Sequence, residues 1–304
     1  MGSAERRVLW LMAAPFLVGV CGLVLLPALG SLSMALAEWD LVRSPRYVGL
    51  ANFRELVEDP VFRITLRNSL WYAVAAVPLR LVGALGLALL LHRRGRLLAA
   101  GRVTVLIPTV IPDAAYALLW LWILNPLHGP LNLALGAAGL PTPAWFSLPA
   151  PTRWAVVLMG LFQLGEGFLI ALVARRQVRE ELYEIAAISG AGPWGRFIRV
   201  TLPVMAPALL LIVGRDTILS LQATFAPALL VTEGGPPPYS TTYLPLFAYR
   251  SAFEYLRYGH ASATTVVMLA LTASILWLQY RVFVRWSGRS IEPVDDPVRP
   301  RRAR

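Results

Sequence analysis

The sequence predicts an all-α membrane protein with six transmembrane helices. Of its 304 residues, 57% are hydrophobic and only 15% are charged, whereas soluble domains average about 45–50% apolar and about 25% charged residues. The chain also contains six apolar runs that are long enough to cross about 30 Å of hydrocarbon as helices. Each run should be helical, because lipid offers no partner to an unpaired backbone group. This composition disfavours a soluble two-domain enzyme and excludes a disordered chain.

The predicted spans cover residues 9–34, 69–91, 103–125, 154–174, 203–231 and 261–281. The segments that would lie inside hold 18 arginines and those outside hold 8, so we expect both termini to be cytoplasmic. We therefore expect a short N-terminus, a six-helix domain and a disordered Arg/Pro-rich tail, at residues 1–8, 9–286 and 287–304. The long first outer segment, residues 35–68, should fold as a small helical cap.

The ionisable residues exclude several classes of protein. All 28 basic residues are arginine, so the chain has neither the lysine of a phosphate-binding loop nor that of a Schiff-base enzyme. Cys21 is the lone cysteine, and the three histidines are too far apart in sequence to form a known metal motif. The net charge of +11 comes from arginines that flank apolar runs, which indicates membrane topology rather than nucleic-acid binding. We expect no metal or other cofactor to be bound by this chain.

The inner loop at residues 175–203 has the pattern of a helix–turn–helix. Its first half places four apolar residues on one helical face: Val178, Leu182, Ile185 and Ile188. Residues 190–193, Gly-Ala-Gly-Pro, should end that helix, and a short amphipathic stretch then leads into the fifth span. This shape suits either a lever moved by a cytoplasmic partner or an interfacial helix that lies on lipid.

The same loop resembles the EAA loop of permease subunits in the binding-protein-dependent sugar permease family of ABC importers. That family's pattern is Glu-Ala-Ala, three residues, Gly, nine residues, Ile, one residue and Leu-Pro. The matching positions are Glu184, Ala186, Gly190, Val200, Leu202 and Pro203. The departures are Ile185 for the first Ala, Ser189 for a usual Asp and Arg179 for a usual Pro.

Three further segments resemble the same family in the expected order. Residues 47–53 resemble its VGLxNF segment, residues 232–236 its TxGGP segment, and residues 249–261 its lead into the last span. Together with the inner loop, these segments cover most of residues 9–286.

The resemblance implies a MetI-like, type I importer permease that forms half of a sugar-transporting pore. Its implied partners are a cytoplasmic ABC ATPase dimer that hydrolyses the ATP, a second and different permease subunit, and an extracytoplasmic solute-binding protein. It also implies the plasma membrane of a bacterium or archaeon. On this basis Glu184 is expected to form an ionic contact with the ATPase. From the pattern alone, Glu184 is a solvated carboxylate on a helix face.

Ionisable residues within spans are costly and mark functional or paired positions. The candidate substrate path consists of Gln163, Glu166, Arg215, Asp216, Ser220, Gln222 and Phe225. Polar groups of this kind orient a sugar while aromatic faces pack on it. The alternative is internal pairing, in which Glu166 or Asp216 neutralises Arg215. Arg80 and Asp113 are assigned to pairing or to an interface, and Asp113 follows Pro112 at a potential helix break.

Three other functions remain to be compared with a sugar importer. An ion-coupled secondary transporter would use the carboxylates in the spans as ion sites, but it leaves the inner-loop motif unexplained. An intramembrane enzyme would need a catalytic set, and the sequence shows none. An ABC importer for a non-sugar solute differs from the leading interpretation only in its cargo.

Overall fold

The structure is a computed structural model that describes residues 3–40, 42 and 44–290. Four helical stretches are long and apolar enough to cross a membrane: Arg6–Ala35, Pro60–Leu91, Pro193–Leu230 and Tyr258–Trp286. Two bent helix pairs also qualify: Arg96–Val110 with Asp113–Ile123, and Pro149–Leu161 with Gly165–Gln177. If each bent pair is one span, the described residues contain up to six spans, which is the predicted number.

The secondary structure is helical throughout, apart from one two-stranded hairpin in the described residues. The elements are α1 Ser3–Val20, α2 Leu26–Ala35, β1 Ala37–Glu38, β2 Arg46–Tyr47, α3 Ala51–Glu58, α4 Pro60–Leu91, α5 Arg96–Val110, α6 Asp113–Ile123, α7 Pro130–Ala137, α8 Pro149–Leu161, α9 Gly165–Gln177, α10 Glu180–Ile188, α11 Pro193–Arg196, α12 Leu202–Gln222, α13 Phe225–Leu230, α14 Leu244–Tyr249 and α15 Tyr258–Ser290. Wider π-helical turns occupy Cys21–Leu25, Phe197–Thr201 and Arg250–Glu254.

The second span begins earlier than the sequence predicts. Helix α4 begins at Pro60 rather than at residue 69, because Asp59 caps it: the carboxylate accepts hydrogen bonds from the backbone N–H groups of Val61, at 2.7 Å, and Phe62, at 3.3 Å. Proline suits the first helical position, where no partner exists for a backbone N–H. The polar start of α4 therefore extends the helix beyond its apolar stretch.

The third and fourth predicted spans are each broken. The potential break at Pro112 in the third span is present, whereas the sequence indicated no break in the fourth. Helices α5 and α6 meet at 105°, and α8 and α9 at 47°. The first break is at Pro112, whose ring disfavours helical geometry for Ile111, and Ile111 is extended with ψ 129°. The second break, at residues 162–164, contains no proline. Beyond it, Gly165 packs so closely on α5 that a β-carbon would lie 2.9 Å from the Thr109 side chain.

The central core lies where α4, α9 and α12 pack together. Its fully buried residues include three alanines, Ala84, Ala88 and Ala171, beside larger side chains such as Phe168 and Ile212. Small residues at helix interfaces let membrane helices approach closely. By contrast, no residue in the most apolar window of the first span is buried in the isolated chain. This surface is available to lipid or to another subunit.

The first outer segment forms the short helix expected there, α3, and also a hairpin that the sequence did not predict. Strands β1 and β2 are antiparallel, with Ala37 opposite Tyr47. The buried Asn52 side chain fixes this cap, since its Nδ2 donates to the carbonyl oxygens of Ala35 and Ala37, both at 2.9 Å. At the other end of the chain α15 continues to Ser290, and the remainder of the predicted tail, residues 291–304, lies outside the described residues.

Candidate functional site

A cavity of about 200 Å³ lies among α4, α6, α8, α9 and α12. Its lining combines charged, polar and aromatic side chains: Tyr72, Arg80, Thr109, Asp113, Tyr116, Gln163, Glu166, Arg215 and Thr224. Three of the predicted path residues, Gln163, Glu166 and Arg215, therefore meet at one place. Asp113 lines it too, and it starts helix α6 directly after the break at Pro112, as the sequence suggested.

The two arginines of the cavity, Arg80 and Arg215, lie well inside the long helices α4 and α12. Leu91, Val178 and Val200 belong to one packed cluster, so α4, α9 and α12 have their ends on the same side of the molecule as the inner loop. Arg80 lies about 17 Å from that end of α4, and Arg215 about 20 Å from that end of α12, at 1.5 Å per residue. Half of the hydrocarbon thickness is about 15 Å. The cavity is therefore near the midplane of the membrane that these helices can span.

Arg215 is held between two carboxylates. Its Nη1 donates to Oδ1 of Asp216 at 2.9 Å, and its Nη2 contacts Oε2 of Glu166. Asp216 is buried at 2% exposure, whereas the Glu166 side chain remains 60% exposed. The pairing expected as the alternative to a substrate role is thus present. Glu166 nevertheless retains an open face toward the cavity, so pairing with Arg215 and contact with a cargo are compatible.

Arg80 lines the cavity but was assigned from sequence only to pairing or to an interface. Within the described residues it has no carboxylate in ion-pair distance; its Nη2 donates to the Tyr72 hydroxyl at 2.7 Å. Arg80 is 6% exposed, and its Nε has no hydrogen-bond partner there. Gly160 makes room for this pair, because a β-carbon would lie 2.5 Å from the Tyr72 oxygen and 2.7 Å from Arg80 Nη2.

The remaining path candidates lie outside the cavity lining. Ser220 is fully buried and its hydroxyl has no partner among the described residues. Gln222 is exposed at the end of α12. The Phe225 ring packs against Tyr249 with centroids 5.0 Å apart. These three residues alternate along the chain with cavity-lining residues, such as Leu219 and Thr224, but are not part of the lining in this conformation.

The glycines beside Glu166 serve helix packing. A β-carbon on Gly165 would crowd Thr109 of α5, and one on Gly167 would stand 3.4 Å from Ile212 of α12. Neighbouring helices, and not an open space, therefore lie beside both glycines. Close packing on both sides fixes the start of α9, which carries Glu166.

The inner loop forms the predicted helix–turn–helix. Helix α10 ends at Ile188, and Gly190 then adopts the left-handed conformation with φ 79°. The N–H of Ala191 bonds to the Ala186 carbonyl and that of Gly190 to the Ala187 carbonyl, both at 2.9 Å. This pair of bonds is the Schellman cap, in which glycine is favoured because a side chain is strained at positive φ.

Helix α10 presents its apolar face outward. Val178, just before it, is buried, but Ile185 and Ile188 are 61% and 89% exposed. Glu184 is exposed and has no ion-pair partner within the described residues, whereas Glu180 and Glu181 pair with Arg175 and Arg179. The helix therefore offers an unfilled apolar surface with one unpaired carboxylate beside it.

The inner loop is joined rigidly to the fifth span. The Tyr183 hydroxyl shares a 2.8 Å hydrogen bond with the hydroxyl of Thr201. Val200 packs against the central core, and the chain continues through a π-helical turn into α12, which begins with Leu202 and Pro203. Helix α10 is thus in direct contact with the segment that leads into the helix carrying Arg215 and Asp216.

The outer loop at residues 232–243, which contains the TxGGP-like segment, is fixed by two side chains that the sequence did not single out. Asn68 Nδ2 donates to the carbonyl oxygens of Tyr239, at 2.7 Å, and Thr242, at 3.2 Å, and Arg153 Nε donates to that of Ser240, at 3.1 Å. Burial, with Tyr72 nearby, raises the pKa of the Tyr243 phenol well above its ordinary value. The signals in the sequence that could have identified these side chains were the polar Asn68 next to the second span and the charged Arg153 next to the fourth.

The chain is similar to known transport proteins over nearly its whole length. Residues 84–288 match the family model described as binding-protein-dependent transport system inner membrane component. The chain is 30% identical to the probable ABC transporter permease protein YesP of Bacillus subtilis over 277 residues, which cover 90% of this chain and 89% of that protein. The chain belongs to this family.

Two further relatives of this permease extend the comparison. It is 30% identical to the lactose transport system permease protein LacF of Rhizobium radiobacter, covering 89% of this chain and 92% of that protein. A chain from the crystal structure of a bacterial alginate ABC transporter superposes with a TM-score of 0.80 at 20% identity, covering 93% of this chain and 96% of that one. At this low identity the second match bears on the fold alone.

Membership of the family settles several expectations from the sequence. The resemblance and the all-α, MetI-like permease fold are confirmed. The chain is a multi-pass membrane permease subunit of an ABC importer, and such subunits have no ATPase site of their own. The importer also requires an ATPase and a solute-binding protein. An ion-coupled secondary transporter and an intramembrane enzyme are therefore excluded.

Proposed function

We propose that this permease forms half of the pore of a sugar or oligosaccharide importer, and that the cavity around Glu166 and Arg215 is its share of the translocation path. The observation that carries the proposal is the polar, charged cavity near the midplane of otherwise apolar helices. The names of two relatives support a sugar as the cargo. LacF is a lactose transport system permease protein, and MalF of Thermococcus litoralis, which is 27% identical, is a trehalose/maltose transport system permease protein.

The chemistry of the cavity suits a polyhydroxylated solute. The guanidinium of Arg80 and the amide of Gln163 can donate hydrogen bonds to hydroxyl groups, and the open carboxylate of Glu166 can accept them. The rings of Tyr72 and Tyr116 supply apolar faces of the kind that pack against a sugar. Arg215 holds Glu166 in place, so the acceptor is oriented before the cargo arrives.

We place the site of energy coupling on helix α10. Its exposed apolar face would enter a groove of the cytoplasmic ATPase, which hydrolyses ATP, and Glu184 would pair with a basic residue there. A surface pair contributes only about 0–1 kcal/mol, so the apolar contact of Ile185 and Ile188 supplies most of the affinity. Ala186, Gly190, Val200, Leu202 and Pro203 then carry the motion to α12.

The cavity is open on one side, and a second, different permease subunit would close it. The ATPase would be a dimer, with one copy for each permease. An extracytoplasmic solute-binding protein would deliver the cargo to the opposite face. The arginine distribution supports an orientation with both termini in the cytoplasm of a bacterial or archaeal cell.

The proposal is tested by replacing Glu166 with Gln, which keeps its size and removes its charge. A hydrogen bond to a charged group contributes about 1.5–3 kcal/mol, so we expect ATP-driven uptake of the cognate sugar by reconstituted vesicles to fall by about ten-fold or more. Gln222→Ala, which changes an exposed residue outside the cavity, should transport like the wild type. Failure of Glu166→Gln to assemble with its partners would instead assign Glu166 to structural pairing.

A further inference from the structure

A second cavity, of about 580 Å³, lies beside the inner loop on the outer surface of the helices. Its walls are Trp194, Phe197, Ile198, Leu202 and Trp286, with Arg199 at the same place. Trp194 and Phe197 stack with ring centroids 5.3 Å apart. The groove is therefore apolar and aromatic, with one guanidinium, and the coupling contacts of α10 do not use it.

The position of the groove along the helices places it at the membrane surface. Leu202 begins α12, and Trp286 is the last residue of the span Tyr258–Trp286. Two stretches that are able to span a membrane, Pro193–Leu230 and Tyr258–Trp286, thus have their ends at this level. Tryptophan is enriched at this depth, where its ring contacts acyl chains and its N–H faces polar headgroups. Trp194 is 70% exposed and Ile198 44% exposed, so the surface is open to a ligand from the bilayer.

Arginine is the only kind of charged residue on the two described segments that line the groove. Residues 193–203 contain Arg196 and Arg199 and no acidic residue, and residues 258–290 likewise contain arginines and no acidic residue. Arg199 is exposed and has no ion-pair partner in the part of the chain that the structure describes. On α10, Glu180 and Glu181 pair with other arginines, and Glu184 does not line the groove.

We propose that this groove binds an anionic phospholipid, with an acyl chain along Phe197, Ile198 and Leu202 and the phosphate on Arg199. Apolar walls alone would accept any lipid, but the uncompensated arginine favours a headgroup with net negative charge. The bound lipid would lie against the segment that joins α10 to α12. The fraction of anionic lipid in the membrane would then determine how often a lipid is bound against this segment. This inference concerns the lipid bound by the protein and not its cargo, so it is independent of the proposed function.

Native mass spectrometry of the intact importer complex can test this proposal, with dioleoyl phosphatidylglycerol and dioleoyl phosphatidylcholine as probes. Each arginine near a membrane surface contributes about 1 kcal/mol toward anionic lipid, so the first phosphatidylglycerol should bind about five-fold more tightly than phosphatidylcholine. Arg199→Gln should remove that preference. Arg176→Gln, a change at an exposed arginine on the same side that does not line the groove, should retain it.

A second variant tests the acyl-chain contact. Ile198→Ser should weaken both lipids by about five-fold, because part of a buried apolar side chain is lost. Equal binding of the two lipids by the wild type would overturn the proposal, as would an unchanged preference in Arg199→Gln. Loss of the ATPase subunit from Arg199→Gln without a change in bound lipid would also overturn it, by assigning the groove to a protein contact.

Discussion

At the scale of single residues, the two arginines of the midplane cavity are held in different ways. Arg215 lies between Glu166 and Asp216, so its charge is compensated within the chain. Arg80 has only the phenol of Tyr72 as a side-chain hydrogen-bond partner among the described residues. Arg80 interacts electrostatically with Asp216 but forms no ion pair with it, and a buried charge within a membrane span marks a functional or paired position. Because its Nε has no hydrogen-bond partner among the described residues, Arg80 keeps a free donor for a polar cargo.

Gly160→Ala should disturb the Arg80–Tyr72 pair without changing any charge. The new β-carbon would lie 2.5 Å from the Tyr72 oxygen, and overpacking of this kind costs about 1–3 kcal/mol. We expect a lower melting temperature of the purified complex and slower sugar uptake. Gly86→Ala is the matched control on α4, because a β-carbon there meets nothing within 4 Å. Equal behaviour of the two variants would show that the pair has no role.

At the scale of elements, the breaks within the third and fourth spans decide which side chains reach the cavity. The break at Pro112 could be foreseen, because proline restricts the residue before it. The break at residues 162–164 could not, since it depends on how closely Gly165 approaches α5, and no local signal encodes that distance. Gln163 lies in this break and Glu166 directly after it in α9, and both residues line the cavity.

Helix α10 and its cap were predictable because their signals are local. Apolar residues at helical spacing and a Gly-Ala-Gly-Pro sequence specify the helix and its end without reference to the rest of the fold. The role proposed for α10 comes only from resemblance to a family, since the spacing alone also fits a helix on lipid. The place of Arg80 in the cavity was not predicted, because its signals are not local. Its partner Tyr72 and the space at Gly160 become its neighbours only in the folded chain.

Gly190→Val tests the geometry of the turn after α10. Gly190 has φ 79°, and forcing a β-branched residue into this region costs about 1–2 kcal/mol. We expect normal membrane insertion but a several-fold loss of ATPase co-purification and of ATP-driven uptake. Gly192→Ala should have little effect, because Gly192 has φ −66° and open space around it. Full coupling in Gly190→Val would contradict the assignment of this turn.

At the scale of the whole molecule, the isolated chain leaves several surfaces unfilled. The apolar window of the first span contains no buried residue, the outward face of α10 is apolar, and the midplane cavity is partly open. A single subunit thus does not enclose a pore, and it has no surface of its own that covers the apolar face of α10. The composition predicted the membrane location and the number of spans, but the arrangement of the spans around a shared cavity depends on packing between distant parts of the chain.

The proposed orientation can be tested with single cysteines, because replacement of the lone Cys21 by Ser gives a cysteine-free background. We expect Arg176→Cys to react with a membrane-impermeant maleimide only after the cells are opened. His128→Cys, in the loop before α7, should react in intact cells. The reverse pattern would place the inner loop outside the cell and would contradict coupling to a cytoplasmic ATPase.

The most direct test of the central claim is sugar uptake by the purified complex in proteoliposomes, with all co-purifying subunits identified. We predict that the tagged chain brings with it an ATPase and a second six-span permease. Uptake should require ATP on the side of α10 and a loaded solute-binding protein on the opposite side. Uptake by a homo-oligomer under an ion gradient alone, without an ATPase, would contradict the account.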